Sequence, residues 1–223
     1  METRIQNAET ITDARYILEP VAIKRLAAIL DSIGHVTSRD QAREALQCIL
    51  VEVSADSWTF TATDTYMLAT ATTPNALHTE HAPNINNTHG SFTVNNKAAK
   101  EWAKMLKPKS LKYAKIQVTE TDVTLETPEQ THTHRKTSQI FPNYRQLLST
   151  PDAYTDEEKA QPVNFNPAYL AQLATSADKL NPKNEPTTIT ITATHPTKPT
   201  QLSAIVQDIA AWHGIIMPVR VAR

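Results

Sequence analysis

A strand–helix–strands pattern occurs three times along this chain, and any fold must accommodate all three copies. In each copy a short apolar segment runs through an Asn or a Pro into an amphipathic helix, and alternating β segments follow. The copies begin near Tyr16, Ser91 and Val163, so the spacing is roughly 70–75 residues. A fixed period of this kind indicates a repeat architecture. We therefore expect three βαβββ units that form parts of one assembled surface.

Caps and apolar stripes predict three helices. Pro20 suits the first position of the first helix, and Gly34 is expected to end that helix in a left-handed conformation. The second helix begins at Asn95 or Asn96 and ends before Pro108, and the third is capped by Asn166. The residues predicted to face inward are Ile23, Leu26, Ala27, Leu30 and Ile33, then Ala98, Ala99, Trp102, Met105 and Leu106, then Leu170, Leu173, Ala174 and Ala177.

The segments after each helix predict strands. They cover residues 46–53, 58–63 and 67–73, then 115–118, 122–125 and 131–136, then 188–192, 202–209 and 214–221. Strict alternation over 188–192 predicts a strand with one buried face. The expected fold class is α+β, with a complete two-unit domain over residues 1–148, a linker over 149–161 and a single unit over 162–223.

Composition restricts the class of protein. The net charge is −1, so any attraction to phosphate must come from local clusters of cations. Cys48 is the single cysteine, which excludes a disulfide within the chain and favours an intracellular setting. We expect Cys48 to be a small buried apolar residue. No stretch of 18 apolar residues occurs, so we expect a cytoplasmic protein with no membrane partner.

The sequence makes no positive case for catalysis, a cofactor or a metal. Three glycines are too few for Gly-rich phosphate loops. His132 and His134 share one strand face, but no cysteine or carboxylate completes a ligand set, so we expect solvated histidines. Asp64 is interpreted as a turn residue between two strands that bonds its own backbone, in preference to a catalytic acid.

A basic stripe on the helices is the clearest candidate surface. Lys97, Lys100, Lys104 and Lys107 recur at spacings of three and four residues on the second helix. Two interpretations remain open. The stripe is either an ordinary solvated face or a surface that contacts phosphates without reading bases.

Three motifs carry a resemblance to a known family. They are Phe60-Thr61-Ala62-Thr63-Asp64-Thr65-Tyr66-Met67-Leu68-Ala69, then Phe141-Pro142-Asn143-Tyr144-Arg145-Gln146-Leu147-Leu148, and the C-terminal Ile215-Ile216-Met217-Pro218-Val219-Arg220-Val221 preceded by Phe165-Asn166-Pro167-Ala168-Tyr169. Together they resemble the bacterial sliding clamp, the β subunit of the replicative DNA polymerase. Residues 14–150 resemble the family's middle domain, and residues 160–223 resemble the second half of its third domain. Met67 stands where the family has Arg, and Thr65 and Tyr66 replace Gly and His.

The resemblance implies two functional surfaces on a DNA-clamp fold. One lines a central hole around duplex DNA without sequence preference, and its residues here are Lys24, Arg25, Lys97, Lys100, Lys104 and Lys107. The other is an apolar cleft for short peptides of DNA polymerase and other replication proteins. Its residues are Leu46, Thr63, Tyr66, Met67, Leu68, Pro142, Gln146, Leu147, Asn166, Tyr169, Met217, Pro218, Val219 and Arg220.

The resemblance also implies assembly, because clamp rings resemble twelve βαβββ units in a circle. Four chains of three units give that number, so a homotetramer is favoured, with a dimer as the rival. The third unit is expected to pair with its counterpart in a second chain, and a clamp loader is a candidate partner. Two other interpretations remain open: a clamp-derived protein that sequesters replication factors without encircling DNA, and an unrelated β-rich enzyme.

Overall fold

Two antiparallel sheets and a layer of helices make up the protein. The computed structural model describes residues 13–74, 90–148, 163–181, 187–192, 197–206 and 210–219. The helices are α1 (Pro20–Ile33), α2 (Asn96–Met105), α3 (Arg145–Leu148) and α4 (Pro167–Lys179), with 3-10 turns at Gly34–Val36 and Glu44–Gln47. The strands are β1 (Ala14–Leu18), β2 (Cys48–Val53), β3 (Ser57–Thr63), β4 (Met67–Pro74), β5 (Gly90–Asn95), β6 (Ala114–Val118), β7 (Asp122–Glu126), β8 (Thr131–Arg135), β9 (Thr190–Thr192), β10 (Thr200–Val206) and β11 (Ala210–Ile216). None of the helices described is long and apolar enough to cross a membrane.

The first two units exchange their first strands. The smaller sheet has the order β1-β6-β7-β8, and the larger has the order β5-β2-β3-β4-β11-β10-β9. The first strand of unit one, β1, therefore pairs with β6 of unit two, while β5 of unit two pairs with β2 of unit one. The three-unit α+β architecture predicted from the repeats is confirmed, except that residues 163–166, just before α4, form no strand.

The third unit joins the larger sheet through its last strand. β11 pairs antiparallel with β4, from Ala211 opposite Thr72 to Ile216 opposite Met67. On the helix side, α1 contacts both α2 and α4. The side chain of Ser32 on α1 donates to the carbonyl of Ser176 on α4 at 2.6 Å. One continuous layer of helices therefore covers the larger sheet.

The helix starts follow their caps, but the end of α1 differs from the prediction. Asn95 accepts a hydrogen bond from the backbone of Lys97, and Asn166 caps α4 in the same way. Gly34 has an ordinary right-handed φ of −59°, because α1 continues directly into a 3-10 turn. Its lack of a side chain serves another purpose, since a Cβ at this position would lie 2.7 Å from Oδ1 of Asn96. A side chain at position 34 would therefore require the Asn96 side chain to move.

Two positions predicted to be buried are exposed in the third unit. Ala174 is exposed, because α4 turns Leu173, Ser176 and Ala177 toward the core. All three residues of β9 are exposed, since β9 is the edge strand of its sheet. The last strand also ends at Ile216 rather than at 221, and the predicted linker over 149–161 lies outside the described residues.

The two histidines on β8 have structural partners and are not solvated as predicted. Nδ1 of His132 accepts a hydrogen bond from the indole of Trp102 at 3.0 Å, which ties β8 to α2. Nε2 of His134 lies 3.2 Å from the carbonyl of Thr93 and 3.3 Å from the amide of Asn95, both on β5. These contacts connect the edge strands of the two sheets.

Acid should therefore destabilise the complete domain through His134. Burial lowers the pKa of this half-buried imidazole below its ordinary value of 6.5. The folded state thus favours the neutral ring, and the unfolded state binds a proton more readily. Stability is fully present above pH 6.5 and falls as the pH drops below it. Thermal melts between pH 7.5 and pH 5 should show a smaller fall in Tm for His134→Gln than for the unmodified chain. Equal falls would contradict this assignment.

Candidate functional site

The tight turn between β3 and β4 is stabilised by a side chain of the turn itself. Oδ1 of Asp64 accepts hydrogen bonds from the backbone amides of Tyr66 and Met67, each at 2.9 Å. Thr65 adopts a φ of +85°, a left-handed conformation that disfavours β-branched residues. It stands where the sliding-clamp motif has Gly. The interpretation of Asp64 as a turn residue is confirmed, and the turn holds Tyr66 outward with 56% of its surface exposed.

This turn contacts both α4 and the segment that follows β11. The rings of Tyr66 and Tyr169 stack with centroids 5.6 Å apart and planes 9° from parallel. The amide of Met217 donates to the carbonyl of Tyr66 at 2.9 Å, and the amide of Val219 donates to the carbonyl of Asn164 at 2.7 Å. Residues far apart in sequence therefore form one aromatic surface at the end of the β4–β11 pair.

Residues 141–148, the second quoted motif and called the linker motif below, cover the outer face of the same strand pair. Leu68 and Ile215 are cross-strand neighbours, and Tyr144 packs on them in a small apolar cluster. The phenol of Tyr144 and the guanidinium of Arg145 both donate to the carboxylate of Glu52 on β2. Burial, assisted by Glu52, raises the pKa of Tyr144 to about 12, so the phenol keeps its proton. Tyr144 and Ile215 belong to quoted motifs but were not predicted as cleft residues.

The predicted cleft residues divide by exposure. The exposed ones are Tyr66, Pro142, Gln146, Leu147 and Val219, and the partly buried ones are Asn166, Tyr169, Met217 and Pro218. Leu46, Thr63, Met67 and Leu68 are buried, and Arg220 lies outside the described residues. Met67, one of the predicted cleft residues, is only 2% exposed because it packs in the main core with its cross-strand neighbour Ile216.

The predicted cations lie mostly on the solvent side of the helix layer. Lys24, Lys97, Lys100 and Lys104 are exposed, and Arg25 is half-buried. Lys107 is exposed but lies beyond the end of α2, at Met105. Glu101 accepts a hydrogen bond from Lys104 at 3.0 Å, and this contact lowers the pKa of the carboxyl. Six cationic and three acidic residues on α1, α2 and α4 give this layer a net charge of +3, although the whole chain carries −1.

Three further features of the described residues concern metal binding, a surface groove and the cysteine. In the part of the chain that the structure describes, no three His, Cys, Asp or Glu side chains are grouped to hold a metal ion. A groove of about 610 Å³ runs beside the linker motif and is lined by Phe92, Lys136 and Tyr144. It lies away from the Tyr66–Tyr169 pair. Cys48 is buried as predicted, and burial raises the pKa of its thiol to about 12, which leaves it protonated.

Comparisons with known proteins identify the fold. No protein-family model and no curated protein sequence matches the chain. The DNA polymerase sliding clamp of Pseudomonas aeruginosa is 14% identical with a TM-score of 0.70, over 99% of this chain and 70% of that one. The sliding clamp of Caulobacter crescentus is 16% identical with a TM-score of 0.71, over 94% of this chain and 66% of the clamp. The DNA polymerase III β subunit of Thermotoga maritima is 15% identical with a TM-score of 0.70, over 99% and 69% of the two chains. This chain therefore has the fold of the bacterial DNA polymerase sliding clamps, in a shorter form.

Proposed function

We propose that this chain is a sliding clamp, a processivity factor that encircles duplex DNA as a homo-oligomeric ring and holds replication proteins through an apolar cleft. It performs no reaction of its own. The observation that carries the proposal is the cationic helix layer on a sliding-clamp fold. A chain with net charge −1 concentrates positive charge on the helices, which is the layer that faces DNA in the family it resembles.

The position of the lysines suits contact with phosphate. Lys24 is the fifth residue of α1 and Lys100 is the fifth residue of α2, so the two repeats present a cation at the same helical position. Ala171 occupies this position in α4. Lysine is a flexible point charge that neutralises phosphate without demanding one geometry. A modest number of such contacts gives weak, sequence-independent attraction, which is compatible with sliding along the duplex.

The ring is proposed to contain four copies. Three units per chain require four chains to reach the twelve units that a clamp ring resembles. The odd number also makes neighbouring chains alternate in orientation, which places two-fold axes in the plane of the ring. A dimer remains the rival assembly, and a clamp loader is a candidate partner for opening either ring.

Partner peptides are proposed to bind where the β3–β4 turn, α4 and the linker motif meet. The stacked Tyr66 and Tyr169 supply a flat apolar wall, and the exposed Leu147 and Val219 lie on the neighbouring linker and C-terminal segments. Peptide grooves of this kind use aromatic walls with pockets for a few anchors. The partly buried Met217 adds an adaptable side chain beside the pair.

Charge reversal on α2 tests the DNA surface. The triple variant Lys97→Glu, Lys100→Glu, Lys104→Glu should reduce retention on DNA at least tenfold at low salt. The slope of log K against log salt concentration should become less steep by about 1 for each lysine that contacts phosphate. The matched control is Arg15→Glu, Arg39→Glu, Arg43→Glu, which makes the same charge change at exposed residues outside the four helices. Equal retention by the two triple variants would exclude the proposed DNA surface.

DNA topology separates a clamp from a protein that only sequesters replication factors. After assembly on nicked circular DNA and ligation, the clamp should remain through a high-salt gel filtration, and linearising the DNA should release it. Loss from circular and linear DNA at the same rate would favour the sequestering protein.

Truncation of Tyr169 and Met217 tests the cleft. Tyr169→Ala with Met217→Ala should weaken binding of labelled pentapeptides with Leu or Phe anchors about tenfold or more, because buried aromatic anchors dominate such interfaces. Fluorescence anisotropy gives the Kd, and gel filtration checks that assembly is unchanged. Tyr113→Ala is the matched control, since this tyrosine is 46% exposed and lies just before β6. Unchanged affinity in the double variant would show that the peptides do not bind at Tyr169 and Met217.

A further inference from the structure

Alignment of the three units on their helix caps shows that the third unit leaves partly exposed the positions that the first two units bury. The caps are Glu19, Asn95 and Asn166. The apolar residues three and one positions before each cap are Tyr16 and Leu18 in unit one, Phe92 and Val94 in unit two, and Val163 and Phe165 in unit three. In the first two units these four side chains are no more than 3% exposed. Val163 and Phe165 are only partly buried.

The edge strand β9 also lacks a neighbour that its counterparts in the first two units have. It is the first strand after α4, as β2 and β6 are the first long strands after α1 and α2. β2 is paired with β5 and β6 with β1, whereas among the described residues β9 pairs with β10 alone. Ile191 lies opposite Leu202, which is 2% exposed, so the two side chains share the core face of the sheet. Ile191 is nevertheless 48% exposed.

The helix of the third unit likewise exposes a position that is at least partly buried in the other two helices. The eighth residue of each unit's helix is an alanine: Ala27 in α1, Ala103 in α2 and Ala174 in α4. Where α1 and α2 pack together, Ala103 is 5% exposed and Ala27 is partly buried. Ala174 is exposed. The segment before the helix, the strand after it and the helix itself therefore all lack the neighbour that an exchanged unit supplies.

The described residues of the same chain do not supply the missing neighbour. The carbonyl of Asn164, two residues before its cap, accepts from Val219 after β11. The carbonyl of Thr93, two residues before its cap, likewise contacts His134 on β8 of its own unit. Residues 163–166 therefore sit beside the end of their own last strand, as β5 does, and β10 and β11 separate that end of the sheet from β9. Units one and two have already exchanged strands with each other.

We propose that the third unit completes a domain with the third unit of a second copy, by reciprocal exchange of residues 163–166. The segment in each copy pairs antiparallel with β9 of the other, as β1 pairs with β6 and β5 with β2. Ile191 then meets Val163 or Phe165 of the partner, and the two α4 helices meet at Ala174. The exchange is self-complementary, so it closes across a two-fold axis. This interface deepens the proposed ring and rests on its assembly from sister copies.

A charge on the edge strand tests the interface. Ile191→Lys should halve the mass in solution, from tetramer to dimer or, under the rival assembly, from dimer to monomer. The matched control is Val21→Lys, because Val21 is 61% exposed on α1 at the helical position that Lys97 occupies on α2. Light scattering after gel filtration gives the masses, and circular dichroism checks folding. An unchanged mass for a folded Ile191→Lys variant overturns the proposal.

Cross-linking tests the contact itself without disrupting it. Ile191→Cys combined with Phe165→Cys, and separately with Val163→Cys, should give a covalent dimer on mild oxidation in at least one pair. The matched controls pair each of those cysteines with Val21→Cys in place of Ile191→Cys. The buried Cys48 contributes no background. A bridge within one chain, or no bridge in either pair, contradicts the exchange.

The experiments can refute the proposed interface and the proposed DNA function independently of each other. Covalent dimers from a chain that is not retained on circular DNA would support the exchange and refute the clamp. Retention of the unmodified chain on circular DNA, with an unchanged mass for Ile191→Lys and no cross-link, would support the clamp and refute the exchange.

Discussion

The antiparallel pairing of β4 with β11 is the contact on which the rest of the structure depends. It joins segments about 140 residues apart and merges the third unit with the first in one seven-stranded sheet. Both faces of the pair are apolar: Met67 and Ile216 belong to the main core, while Leu68 and Ile215 meet the linker. Without this pairing, the Tyr66 turn would not reach Tyr169, and the candidate cleft would not exist.

A buried polar network fixes where the helix of the third unit docks on that sheet. The hydroxyl of Ser176 lies 3.2 Å from that of Ser32 on α1 and accepts from the indole of Trp212 on β11 at 3.1 Å. All three residues are fully buried. An apolar contact would tolerate sliding of α4, but displaced hydroxyls and an indole N–H without partners would each cost about 1–3 kcal/mol. One arrangement of α1, α4 and β11 is therefore specified, and the position of Tyr169 on α4 follows from it.

Local signals in the sequence were sufficient for the helices and most strands. Asn95 and Asn166 predicted their helices because a cap acts within three residues, and alternation predicted β6 and β7 because one face of each is buried. Contacts between remote segments could not be predicted. Gly34 serves a close approach to Asn96 that a single helix does not reveal. The histidines of β8 looked solvated because their partners, Trp102 and Thr93, precede them by 30 and 41 residues. The accessibility of the candidate cleft likewise depends on a strand pairing that periodicity does not encode.

The remaining differences between sequence and structure concentrate in the third unit, and the proposed exchange would give them one physical cause. Alternation over 188–192 and the stripe containing Ala174 both encode burial, while the single chain leaves Ile191 and Ala174 in solvent. A sequence pattern reflects the surroundings in which the residues are finally placed, which for an exchanged unit include a second molecule. The charges follow the same division. Five cations lie on α1 and α2. On α4 the single cation, Lys179, is balanced by Asp178, and Ala168, Ala171 and Thr175 are exposed. In a ring whose third units meet, neutral helix pairs would alternate with cationic ones, which keeps the phosphate contacts few and the protein free to slide.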